Sequence, residues 1–159
     1  MRSLRVHEQG IDKYDNVRIG LNARFDTMQA TIMMPKLAIF PGEIELHQLV
    51  VAENYDAALK GIIETPHVPE GYKSVWAQYS VLSDDREAMQ AALKEAGIPS
   101  VIYYRIPCHL SKAFESLRYK QGDMPKSEET SRRIFSLPMH PYVEPCFAER
   151  IADVLRSVS

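Results

Sequence analysis

Residues 75–104, VWAQYSVLSDDREAMQAALKEAGIPSVIYY, change period twice. Val75, Ala77, Tyr79 and Val81 alternate with Trp76, Gln78 and Ser80, so Val75–Leu82 is predicted as a strand with one apolar face. Asp84 followed by Glu87 is a capping-box pattern. Ala88, Met89, Ala92, Leu93 and Ala96 then form the stripe of an amphipathic helix, ended by Gly97. Ser100–Tyr104, β-branched and aromatic, reads as a second strand. Ile134–Leu137 reads as a third, stopped by Pro138. The expected class is α/β (α+β): a small sheet of about three strands packed by helices.

Toward the C-terminus, Lys120–Glu129 is polar, contains Gly122 and Pro125, and is expected to be a flexible loop. Pro145 suits the first turn of a last helix, in which Phe147, Ile151, Val154, Leu155 and Val158 are spaced for burial. Toward the N-terminus, Ile62–Tyr72 reads as a loop. Glu43–Leu59 reads as a helix with Ile44, Val51, Tyr55, Ala58 and Leu59 on one face, and Gly61 suits its C′ position. Thr27–Phe40 is apolar and helical. Pro35 is expected to kink or end that helix, and Pro41-Gly42 to punctuate the chain again. Met1–Asp26 has weak periodicity and reads as extended chain and loop.

Composition bounds the function. The chain has 159 residues, 45% apolar and 25% charged, which are ordinary values for one globular domain. Its net charge of -2 is a poor match for a nucleic-acid backbone. No apolar run approaches the roughly 20 residues of a membrane span. Met1–Arg5 lacks the apolar stretch of a signal peptide. Cys108 and Cys146 form neither a CxxC pair nor a disulfide framework, so reduced thiols in a cytoplasmic protein are expected.

The residue chemistry leaves several alternatives open. His7, His47, His67, His109 and His140 lack metal-site spacing and read as surface or satisfied polar side chains, so no metal is expected. Cys108-His109 is adjacent in sequence, but neighbouring side chains usually point apart. In an extended Asn22-Ala23-Arg24, Asn22 and Arg24 would face one anionic target together. The alternative is an Asn turn beside an Arg24–Asp26 salt bridge. Tyr103-Tyr104-Arg105 ends a predicted strand and could line a polar pocket, or consist of one buried Tyr, one exposed Tyr and a solvated Arg. None of the lysines at 13, 36, 60, 73, 94, 112, 120 and 126 sits in an apolar run of the kind that lowers an amine pKa.

Several blocks taken in order add a resemblance. His7-Glu8-Gln9-Gly10, Lys13-Tyr14-Asp15-Asn16, Ile19 to Ala30 and Lys36-Leu37 resemble the second half of the DegT-type, pyridoxal-phosphate-dependent sugar-nucleotide aminotransferases. So do Ser74 to Tyr79, Ala96-Gly97-Ile98-Pro99, Tyr103-Tyr104, Ile106-Pro107-Cys108-His109 and Leu137 to Tyr142. Within the family the chain is most similar to members acting on UDP-linked 3-keto sugars, such as uronic-acid 3-aminotransferases of surface-polysaccharide pathways.

The resemblance implies the small C-terminal domain of a fold-type-I enzyme. Residues 1–26 would be the tail of a large domain, 27–60 linker helices and 61–159 the small domain. It implies that Asn22 helps hold the cofactor phosphate in a partner's site, and that Arg24, Tyr103 and Tyr104 meet a sugar-nucleotide substrate. It also implies that the covalent lysine, the acidic partner of the pyridine nitrogen and the stacking aromatic belong to a first half this chain lacks. No catalytic residue is therefore expected within it, and the chain alone is expected to be inactive. The complete enzyme would be a homodimer and take its amino group from glutamate. Departures from the family pattern at Glu8, Pro35, His47 and Arg105, together with the absent first half, suit a decayed remnant, a split gene or an orphan reading frame. The competing expectation is a non-catalytic module that pairs with a separate N-terminal half or an intact paralogue. A transcriptional regulator is disfavoured by the charge balance.

Overall fold

The computed structural model describes Ile19, Leu21, Ala23 and residues 25–158. The chain divides into two compact units, residues 1–41 and 42–159. Helix α1, Thr27–Leu46, crosses that boundary and has no buried residue. Asp26 caps it, its carboxylate accepting the Gln29 amide at 3.0 Å. Pro35 and Pro41 both lie inside the helix, so neither ends it as the sequence suggested. Each removes one amide donor, but the freed carbonyls are on an exposed helix that water can solvate. The backbone stays helical through a π-helical segment, His47–Ala52, into α2, Glu53–Leu59. Gly61, at a φ of +77°, occupies the expected C′ position.

The second unit is a sheet covered by helices. Strand β1, Tyr79–Leu82, pairs antiparallel with β2, Ile134–Leu137, opposing Tyr79 to Leu137 and Val81 to Phe135. These four side chains are buried together on the inner face. On the outer face Ser80 and Ser136 stand opposite, with their hydroxyl oxygens 2.8 Å apart. Helices α3, Arg86–Glu95, and α5, Pro145–Arg156, complete the layer, and α5 packs against both α2 and α3. The core joins Val51, Tyr55 and Leu59 to Met89, Leu93 and Ile98, and to Ile151 and Leu155. Tyr55 donates to the Pro138 carbonyl at 2.7 Å, and Tyr79 donates to Asp56. Burial first, then the Asp56 carboxylate, holds the Tyr79 hydroxyl far above the usual phenol range.

α3 ends as its sequence predicts. Ile98 N–H bonds the Leu93 carbonyl at 2.8 Å and Gly97 N–H that of Lys94 at 3.0 Å, with Leu93 and Ile98 both buried. This is a Schellman closure, and Gly97 has a φ of +73°. Gly97→Ala is expected to lower unfolding stability by about 1 kcal/mol, measured by urea denaturation. Its start differs: Asp85 is the N-cap, and Asp84 instead pairs with Arg133 at 2.8 Å.

Three further expectations are corrected. The sheet has two strands, not about three. Val101 makes a single antiparallel bridge to Ser136 and the ladder stops there. Continued, it would set Tyr103 opposite Ile134, but the Ile134 amide closes the last turn of the preceding helix, bonding the Thr130 carbonyl. The predicted Val75–Leu82 strand is shortened because Trp76 turns to a φ of +47° and stacks inward on Tyr79, with ring centroids 5.4 Å apart. Finally, the second half of the Lys120–Glu129 stretch expected to be a loop is the start of helix α4, Pro125–Arg133, with Pro125 in its first turn.

Candidate functional site

The segment leaving Val101 presents Tyr103 and Tyr104, both more than half exposed, with ring centroids 6.4 Å apart. Neither is the buried member that burial habits allowed. They flank different hollows. Tyr103 borders one of about 180 Å³ with Gln78, Val101 and Ser136, and Tyr104 one of about 390 Å³ with Ile106, Cys108, Lys126 and Thr130. Arg105 is exposed beside them. Asn22 and Arg24 lie outside the described residues. Asp26, the alternative partner of Arg24, is the cap of α1 described above.

The turns that follow the tyrosines are tied to α4 by a network that the sequence pattern did not reveal. His109, whose side chain is 3% exposed, places Nε2 3.0 Å from Glu128 Oε1. Glu128 also accepts the Gly122 amide at 2.8 Å and, more weakly, that of Met124 at 3.4 Å. The residues are 19 apart in sequence and share no motif spacing, so pattern alone could not pair them. Cys108 is exposed while His109 is buried, so the adjacent pair points apart as expected. The Gly122 amide, opposed by partial burial and aided by His109, holds the Glu128 carboxyl below its ordinary value.

A depressed carboxylate pKa contributes stability that is present above the unfolded value and lost as pH falls through the folded one. The stability difference between wild type and Glu128→Gln is therefore expected to narrow as pH drops below about 4.5, the ordinary value. Urea titrations at stepped pH read it, and a gap unchanged down to pH 3 would contradict the pairing (~1.5 units below that value, where a carboxylate of ordinary pKa is protonated).

The described residues do not by themselves fit a pyridoxal phosphate site. Every described lysine is exposed. A lysine that anchors a carbonyl cofactor is held in a desolvated or cationic pocket. Neither tyrosine-flanked hollow has a lysine beyond Lys126 on its lining. Among the described residues no group of His, Cys, Asp and Glu side chains is arranged to hold a metal ion, and no helix is long and apolar enough to cross a membrane.

Comparison with known proteins places these elements. Residues 1–156 match the DegT/DnrJ/EryC1/StrS aminotransferase family, and the chain belongs to it. The UDP-2-acetamido-2-deoxy-3-oxo-D-glucuronate aminotransferase of Pseudomonas aeruginosa is 44% identical over 145 residues, covering 91% of this chain and 39% of that protein. The crystal structure of a DegT DnrJ EryC1 StrS aminotransferase from Brucella abortus is 44% identical with a TM-score of 0.88, covering 99% of this chain and 42% of its own. S. venezuelae DesV in complex with a ketimine intermediate is 29% identical with a TM-score of 0.88, covering 99% and 42%. The chain thus spans about two-fifths of the length of the relatives it matches. The fold is that of part of a fold-type-I sugar aminotransferase, with a two-stranded sheet where about three strands were expected.

Proposed function

We propose that this chain is the linker and small C-terminal domain of a pyridoxal-phosphate-dependent transaminase that aminates a UDP-linked 3-keto sugar, with glutamate as amino donor. In this reading residues 1–26 are the tail of the large domain, 27–60 the linker and 61–159 the small domain. Asn22 addresses the cofactor phosphate, and Arg24, Tyr103 and Tyr104 address the sugar nucleotide. The observation that carries the reading is the 44% identity to the P. aeruginosa glucuronate aminotransferase across 91% of this chain. The bound cofactor would supply the electron sink for amino transfer.

The rest of the enzyme would also cover α1. Met28, Ile32, Met34, Leu37 and Phe40, spread around its circumference, are all at least half exposed, an apolar surface large enough to drive association with a partner or a second copy.

The test is cofactor titration of the chain alone and of the chain mixed with the N-terminal portion of the P. aeruginosa relative. The isolated chain is expected to give no stoichiometric, borohydride-trappable adduct. The mixture is expected to acquire one, on a lysine of the added portion, and to aminate the 3-keto sugar nucleotide. A 1:1 adduct on a lysine of this chain alone would overturn the reading.

A further inference from the structure

We propose that Ser131 is a positioning residue that holds the Tyr103–Tyr104 pair in place for the sugar nucleotide; the substrate half of this inference rests on the function proposed above. Ser131 is 6% exposed on α4, and its hydroxyl lies 2.8 Å from the Tyr104 carbonyl and 2.8 Å from that of Arg105. A serine hydroxyl has one proton, so it is shared between two adjacent carbonyls in a three-centre bond. That geometry fixes the peptide planes that follow Tyr104 and Arg105, and with them the backbone that carries the tyrosine pair.

Ser131 is itself anchored from the other side. Its carbonyl is among the last four of α4, which lack helical partners, and Arg86 of α3 donates to it at 2.7 Å. A line of contacts therefore runs from α3 through α4 to the tyrosines. The tyrosines are exposed, and exposed loops are held by few contacts, so one buried hydroxyl has leverage there.

Arg105 makes the clamp measurable on the full chain, because trypsin cuts after it. Ser131→Ala is expected to raise cleavage after Arg105 about tenfold while cleavage after Lys94 and Arg133 is unchanged, and Ser131→Thr to restore protection, since threonine keeps the hydroxyl. In the reconstituted enzyme, Ser131→Ala is expected to raise KM for the sugar nucleotide about tenfold with kcat kept. Cleavage unchanged after Arg105, or raised equally at all sites, would overturn the clamp. Local cleavage raised with KM unmoved, while Tyr103→Ala or Tyr104→Ala does move KM, would overturn the positioning role. If neither tyrosine variant moves KM, the substrate assignment itself fails, and only the local clamp survives.

Discussion

Arg24→Ala, in a chimera joining this chain to the N-terminal portion of the P. aeruginosa relative, is expected to raise KM for the sugar nucleotide ten- to a hundredfold while cofactor content stays normal. Asn22→Ala is expected to do the reverse, losing cofactor on dialysis with a smaller effect on substrate. The two residues sit two apart in an extended reading of Asn22-Ala23-Arg24, so they face the same side. An amide suits a phosphate oxygen, and a guanidinium suits a diphosphate or carboxylate bidentately. Removing one charge-assisted contact costs about 1.5–3 kcal/mol, which is the fold-change stated. Arg24→Lys should recover only part of the loss, since an ammonium cannot form the fork. Unchanged kinetics in Arg24→Ala would leave the Arg24–Asp26 salt bridge as the better account. That bridge would have to share a carboxylate that already caps α1.

The second large effect is on stability. Phe135 is fully buried at the centre of β2, opposite Val81 and facing the helices. Phe135→Ala is expected to lower unfolding free energy by about 3–5 kcal/mol, the transfer loss of the ring plus the cavity left behind. Against a typical total of about 5–15 kcal/mol, that removes a large fraction. Urea titration should show a lower midpoint at an unchanged m-value. A change below about 1 kcal/mol would mean that the sheet–helix core does not set the cooperative unit.

Ser131 and the His109–Glu128 pair show why the site was only partly legible. The tyrosines stood out because aromatic residues at a strand end are conspicuous and because they belong to blocks resembling a known family. Ser131 lies in a polar run, 127-SEETSRR-133, in which nothing distinguishes a buried clamp from a solvated face. Its importance comes from carbonyls 26 and 27 residues away. His109 gave only the general expectation of a satisfied polar histidine, and Glu128 none.

By itself the sequence determined the elements whose signals are local. Pro145 begins α5 because a missing amide is harmless in a first turn, and the Ile151–Leu155 stripe faces the core. Gly61 and Gly97 close their helices because left-handed backbone is cheap only there. Ile134–Leu137 is a strand stopped by Pro138, and Val51, Tyr55 and Leu59 form a buried stripe at helical spacing. Tertiary structure decided whatever depended on a distant partner. The last turn of α4 took the Ile134 amide for the Thr130 carbonyl, so the Val101 bridge went no further and the sheet stayed two-stranded. Tyr79 drew Trp76 inward and shortened β1. Glu128 gathered the Gly122 amide and His109, so that a polar stretch became turn and helix rather than loop. In each case a local propensity met a specific hydrogen bond or ring contact, and the stronger interaction set the backbone.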